Sequence, residues 1–137
     1  MLGPFHYAFP VLDLAATRVF YENHLGAMPG RCAEQWVDFD LFGHQLSAHQ
    51  VAAMPEVVAY SEVDGQEVPL PHFGVVLEWG EWHALVERLI AHQVPFLLSP
   101  QVRFQGQRGE QGTFFVLDPS GNALEFKSFR RQEEMFA

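Results

Sequence analysis

The pattern that most restricts how this chain can fold is an order of elements that runs through it twice. The first run opens at Phe5–Val11, a short apolar stretch with aromatic and β-branched members that reads as a buried strand ended by Pro10 and Asp13. Asp13 is the predicted N-cap of a helix in which Leu14, Thr17, Arg18, Phe20, Tyr21, His24 and Leu25 mix an apolar stripe with polar positions until Gly26 stops it. Polar connector material around Pro29, Gly30 and Arg31 follows and leaves the second strand of this half poorly defined. From Trp36 to Phe42, Val37, Phe39 and Leu41 alternate with Asp38 and Asp40, the mark of a strand with two faces. Gly43 turns it into a hairpin partner, His44–Val51.

The second run repeats that order. Pro71–Trp79 is again a short apolar stretch with a His near its start, and Glu81–His92 is again helical, with Trp82, Leu85, Val86, Leu89 and Ile90 at helical spacing. Three strands are expected at Pro95–Phe104, Gly112–Leu117 and Asn122–Phe126, separated by the polar loop Gln105–Gln111 and the turn Asp118–Gly121. Between the runs, Ala52–Leu70 has Pro55, Asp64, Gly65 and Pro69 but no clear period, and reads as a connector. His6 stands seven residues before Asp13 and His72 nine before Glu81, so each run carries a histidine ahead of its helix. One such repeat cannot close a cup alone. Two curved sheets of about four strands each are therefore expected to pair, within the chain or across a dimer.

A length of 137 residues with 48% hydrophobic content suits one domain with a real core. The expected division is module one at about 4–51, a connector at 52–70, module two at about 71–128 and a tail at 129–137. Thirteen Phe residues make ring packing the main filler of that core. Eight basic against seventeen acidic side chains give a formal charge of −9, which repels phosphate backbones and excludes nucleic acid as an expected partner. No apolar stretch is long enough to span a bilayer, and the first residues lack a positive segment ahead of an apolar one, so a cytoplasmic protein with no membrane partner is expected. Cys32 is the one thiol, which excludes an intrachain disulfide and a Cys-based zinc site and reads as an ordinary buried or semi-buried side chain.

Three pieces of sequence carry a family likeness. The first is FHYAFPVLDLAATRVFYENHLG, a strand His followed by Val-x-Asp-Leu, Phe-Tyr and Leu-Gly; the second is PHFGVVL, a His opening the second run. The third is LDPSGNALEF, a turn followed by a strand whose Glu lies seven residues after the Asp. With the repeat order they cover nearly the whole chain, which resembles the vicinal oxygen chelate superfamily of glyoxalase I, extradiol dioxygenases and fosfomycin-resistance proteins. The resemblance implies an α+β fold of two βαβββ modules with curved, cup-like mixed sheets. It also implies a divalent metal held by His6, His72 and Glu125. Two imidazoles and a carboxylate are a set that leaves coordination positions open for substrate or dioxygen.

His49, on the last strand of the first half, is expected as a fourth ligand or as a general base, because glyoxalase-like members place another ligand on that strand. A glyoxalase usually has Glu there, and a histidine instead titrates near neutrality. By alternation His49 shares a face with Gln45 and Ser47, with His44 on the other. Tyr7, Trp36, Phe73, Phe104 and Phe115 are candidates to line a pocket but read first as core rings; Arg103 and Arg108, flanking the loop 105–111, are candidates for a substrate carboxylate or phenolate. Asp118–Gly121 reads as a turn that aims Glu125 inward. The leading expectation is a homodimeric metalloenzyme for a small oxygen-bearing substrate. With Fe or Mn and three ligands it is dioxygenase-like; with Zn, Ni or Co and four, it is an isomerase or lyase of glyoxalase type. The alternative is a metal-free, drug-sequestering protein of the bleomycin-resistance kind, whose cationic ligand the acidic surface suits.

Overall fold

Valine, phenylalanine and leucine at positions 37, 39 and 41 are each about 1% exposed, so the alternation read in the sequence does turn one face of that strand into core. The computed structural model describes residues 2–137 and falls into two units, one running to Glu56 and including Asp118–Asn122, the other made of Val57–Leu117 and Ala123–Ala137. The first unit comprises β1 (His6–Val11), α1 (Leu14–Arg18), β2 (Met28–Cys32), β3 (Trp36–Leu41) and β4 (His44–Gln50). Its sheet has the order β1-β4-β3-β2, with β1 parallel to β4 and the other pairs antiparallel. Asp13 caps α1 as expected, accepting the Ala16 N–H at 3.1 Å, and the helix then widens into π-type turns over Val19–His24. Phe9, Val11, Phe20, Tyr21 and Leu25 complete this core.

Two expectations in this half need correction. The supposed connector around Pro29–Arg31 is the edge strand β2; none of its residues is buried, so it carries no alternation from which to read it. Cys32, at its end, is an exposed free thiol rather than a buried one. The turn at Asp118–Asn122 proves to be a polar plug for this unit. Asp118, nearly buried, accepts the Tyr21 hydroxyl, the Ser120 and Asn122 N–H groups and the Asn122 side-chain amide, each at 2.9 Å. Ser120 Oγ accepts the Leu12 N–H, and Asn122 Nδ2 donates to the Pro10 carbonyl. Burial, and next the Asp118 charge, push the Tyr21 phenol well above its usual pKa.

The second unit begins with β5 (Ala59–Val63) and β6 (Gln66–Leu70), a two-stranded ribbon where a structureless connector was expected. Most of its residues are half-buried or exposed, which hides the period, while Asp64 and Gly65, at φ 50° and 82°, form the left-handed pair that a tight hairpin needs. Then follow β7 (Val76–Leu77), α2 (Trp79–Ala91), β8 (Leu98–Arg103), β9 (Gln111–Leu117) and β10 (Ala123–Phe129), with sheet order β7-β10-β9-β8. Helix α2 starts earlier than Glu81 because Glu78 caps it, its carboxylate accepting the Gly80 and Glu81 N–H groups. Its Trp82 lies on Gly112, where a Cβ would come within 2.9 Å of the ring, and donates its indole N–H to the Phe126 carbonyl at 2.9 Å. Phe114, Val116, Leu124 and Phe126 fill the space beneath α2 and are fully buried. The tail is tied down, the Gly109 N–H donating to Glu134 Oε2 at 2.6 Å. No described helix is long and apolar enough to cross a membrane.

Candidate metal centre

Alternation along β10 sends Leu124 and Phe126 into the core and leaves Glu125 and Lys127 half-buried on the opposite face. What brings His72 to Glu125 is a close backbone approach. Phe73 bridges Leu124 in parallel, the Glu125 N–H donating to the Phe73 carbonyl at 2.8 Å, and a Cβ on Gly74 would fall 1.6 Å from the Glu125 carbonyl oxygen. Only glycine fits there. His72 Nε2 then lies 3.3 Å from Glu125 Oε1. Its Nδ1 is 2.8 Å from the Pro69 carbonyl, and since a carbonyl can only accept, Nδ1 bears the hydrogen and Nε2 is the atom turned to the carboxylate. Thr113 Oγ1 donates to the other oxygen, Oε2, at 2.6 Å, which fixes Oε1 toward the imidazole. Phe115 presents its ring at 5.0 Å and 78° to that of His72. A neutral Nε2 and a carboxylate oxygen repel unless a cation stands between them, either a proton or a metal ion. Ligand bonds of about 2.0–2.2 Å put two ligands of one ion about 3 Å apart, so the pair fits a divalent metal.

The first unit holds the other two predicted residues. His6 is exposed on β1 opposite Gln45, and His49 is exposed on β4 opposite Trp36 and Pro10, its ring 6.3 Å from that of Trp36. His49 does share a face with Gln45 and Ser47, while the His44 ring, on the other, accepts the Phe5 N–H. The register nevertheless points to a different residue as the counterpart of Glu125. Glu125 follows Leu124, which pairs with the residue after His72; Ser47 follows Leu46, which pairs with Tyr7, the residue after His6. Ser47 holds the matching place, its Oγ donating to Asp38 Oδ1 at 2.5 Å, and His49 stands two residues further along. Among the described residues, no group of three or more His, Cys, Asp and Glu side chains converges closely enough to hold an ion. Of the four candidate residues, the described structure brings together only His72 and Glu125 within one chain.

A family model described as the Glyoxalase/Bleomycin resistance protein/Dioxygenase superfamily matches residues 3–126. The chain belongs to this superfamily. A glyoxalase/bleomycin resistance protein/dioxygenase from Alicyclobacillus acidocaldarius is 30% identical, with a TM-score of 0.76 over 97% of this chain and 96% of that one. The fosfomycin resistance protein FosX from Listeria monocytogenes is 19% identical, with a TM-score of 0.70 over 98% of each chain. An integron cassette protein from the mobile metagenome of V. Cholerae is 20% identical, with a TM-score of 0.61 over 93% of this chain and 95% of that one. The latter two show the fold alone. No curated protein matches the sequence significantly.

Around the His72–Glu125 pair, this superfamily member has a cavity of about 230 Å³ within the second unit, walled on one side by Val63, Gln66 and Val68 of the β5–β6 ribbon. Of the aromatic residues weighed in the sequence only Phe115 lines it; Phe104, at φ 56°, is exposed with the Arg103 guanidinium over its ring. Arg103 lines the cavity, whereas Arg108 is exposed in its loop. Thr113 and Lys127 escaped the sequence reading. Their signal was the same alternation that placed Glu125, since Lys127 follows it by two residues on one strand and pairs with Thr113 on the next.

Proposed function

We propose that this superfamily member is a divalent-metal-dependent enzyme that binds a small oxygen-bearing substrate by chelation, with His6, His72 and Glu125 as the ligands. The observation that carries the reading is the His72–Glu125 pair: an imidazole in the metal-ready tautomer and a carboxylate oxygen 3.3 Å apart, each fixed by a second hydrogen bond. Two protein ligands rarely suffice for an ion of this kind, and no third ligand joins them among the described residues of the chain. The reading is completed by a homodimer in which His6 from one copy meets His72 and Glu125 from the other. When bound there, iron, manganese, zinc, nickel or cobalt supplies Lewis-acid stabilisation of an anionic substrate oxygen.

The chain's own residues do the rest. Pro69 and Thr113 hold the ligand atoms in place, Phe115 and the ribbon keep water from one side of the cavity, and His49 is available to move a proton. With Ser47 at the matching register position, His49 fits proton transfer better than a fourth ligand place, whether the reaction is an isomerisation or lyase step or an oxygenation. A cytoplasmic setting suits the exposed thiol of Cys32, which stays reduced there.

The test is elemental mass spectrometry on protein purified without chelator or affinity metal, with His6→Ala, His72→Ala and Glu125→Ala alongside and the oligomeric state measured on the same samples. Near-stoichiometric metal in a dimer, lost in all three variants, is expected. Iron or manganese would direct the substrate search to catechol-like molecules, and zinc, nickel or cobalt to glyoxalase-like ones. A chain that neither carries nor takes up metal would overturn the reading and leave the sequestration of aromatic or cationic drugs. A monomer with stoichiometric metal would overturn the shared site.

A further inference from the structure

Two of the chain's eight Lys and Arg side chains line the cavity that holds His72 and Glu125, in a protein whose formal charge is −9. The pairing register arranges its floor in rows. Leu98, Phe115 and Glu125 stand opposite one another, next Gln101, Thr113 and Lys127, and next Arg103 opposite Gln111. Alternate strands lie about 10 Å apart and residues two apart on a strand about 7 Å, so the side chains of Arg103 and Lys127, both lining the cavity, are long enough to contact one small ligand above Gln111 and Thr113. The cavity therefore has one end built around the His–Glu pair and another built from cations and amides.

Among the described residues Lys127 has no counter-ion at the cationic end, and Arg103 has one, Asp64, outside it. Lys127 is half-buried, makes no ion pair with any described residue, and has its Nζ 5.9 Å from the Phe129 ring. Glu125, its neighbour on the same face, is engaged with His72 and Thr113 instead. Arg103 gives one amino group to Asp64 at the tip of the ribbon, and a guanidinium fork has five N–H donors in all. A half-buried ammonium and a guanidinium with donors to spare favour an anion whose oxygens accept from both. Gln101 is held by Gln66 of the ribbon at 2.9 Å, which steadies the wall on that side.

We propose that the cavity takes a small acid, its carboxylate or phosphonate head held between Lys127 and Arg103 and a second oxygen turned toward His72 and Glu125. Only the second oxygen rests on the metal-centre reading; the anion clamp stands on the cavity itself. A cavity of about 230 Å³ suits a small ligand rather than a polymer or a large cofactor.

The experiment is isothermal titration of the full-length protein, metal-loaded and chelator-stripped, with glycolate, hydroxymethylphosphonate and the neutral control glycolamide. At least one acid is expected to bind about tenfold or more tightly than glycolamide, in both preparations, as charge-assisted hydrogen bonds allow. Which acid shows the preference separates carboxylate from phosphonate. Lys127→Gln and Arg103→Gln should each weaken the acid about tenfold and leave glycolamide and metal content unchanged, while Lys127→Arg restores it and guards against misfolding as the cause. No preference for an acid over glycolamide, whether through equal binding or none, overturns the inference even if metal is bound. Variants that keep the preference overturn it as well. An acid preference that depends on Lys127 and Arg103 in a protein that never holds metal supports the clamp and removes the metal-centre reading.

Discussion

The open faces of the two sheets share a register and differ in what fills it. On each, a histidine precedes the residue that pairs with a leucine of the neighbouring parallel strand, and the residue after that leucine is Ser47 in the first sheet and Glu125 in the second. Glu125 is tied to His72 and Thr113 beside the β5–β6 ribbon, whereas Ser47 donates to Asp38 and its unit has no ribbon of its own. The positions two residues after each histidine differ too: Ala8 in β1, and in the second half Gly74, which lets the backbone close on Glu125. The repeat supplies a geometry. Chemistry depends on single side chains at single register positions, and enclosure on an insertion that only one half has.

The sharpest way to break this contrast is Gly74→Ala, which makes the second half like the first. A Cβ 1.6 Å from a backbone oxygen must force the strands apart, so a loss of about 3 kcal/mol or more in urea denaturation is expected, together with loss of metal. Next in size is Thr113→Val, which keeps the shape of the side chain but frees Glu125 Oε2. Metal affinity measured by titration should fall roughly 10–100-fold, and Thr113→Ser should recover most of it; equal affinity in the valine variant would reduce the contact to packing.

In the first unit the corresponding polar anchor is the Tyr21–Asp118 hydrogen bond, and Asp118 retains its other donors when the hydroxyl is removed. Tyr21→Phe should therefore cost only about 1–2 kcal/mol. The same residue sets a pH dependence. Because its phenol pKa is raised on folding, the unfolded chain loses that proton first, and stability falls as pH climbs above about 10, by up to about 1.4 kcal/mol per pH unit. Denaturation curves at pH 9 and pH 11 should show this loss in the wild type and a smaller one in Tyr21→Phe. The smallest effect is expected from His49→Ala: an exposed side chain two residues beyond the matching position should change stability by no more than about 0.5 kcal/mol and leave the bound metal intact. Loss of metal there would restore His49 as a ligand.

Legibility in the sequence followed burial. β1, β3, β4, β9, β10 and both helices each bury at least one residue of one face, and their periods were read close to where the elements lie. β2 and β5 bury nothing and β6 buries only the adjacent Val68 and Pro69, a pair without alternation, so these segments show no period, although Asp64-Gly65 is a hairpin signal in plain view. At the candidate centre His72 and Glu125 each stand in a motif, while Thr113 and Lys127 stand in none and are marked only by strand alternation.

Motifs and periods are local, so the repeated order of elements, the α+β class, the superfamily and a short roster of residues able to hold a metal are all legible along the chain. Long-range pairing is what sets His72 Nε2 against Glu125 Oε1, gives Ser47 rather than His49 the register position that matches Glu125, and puts Arg103 and Lys127 on one cavity. Those facts depend on strand register and on the contact of Gly74 with β10, which join residues far apart in the chain. A shift of one residue in that register would send every side chain to the opposite face.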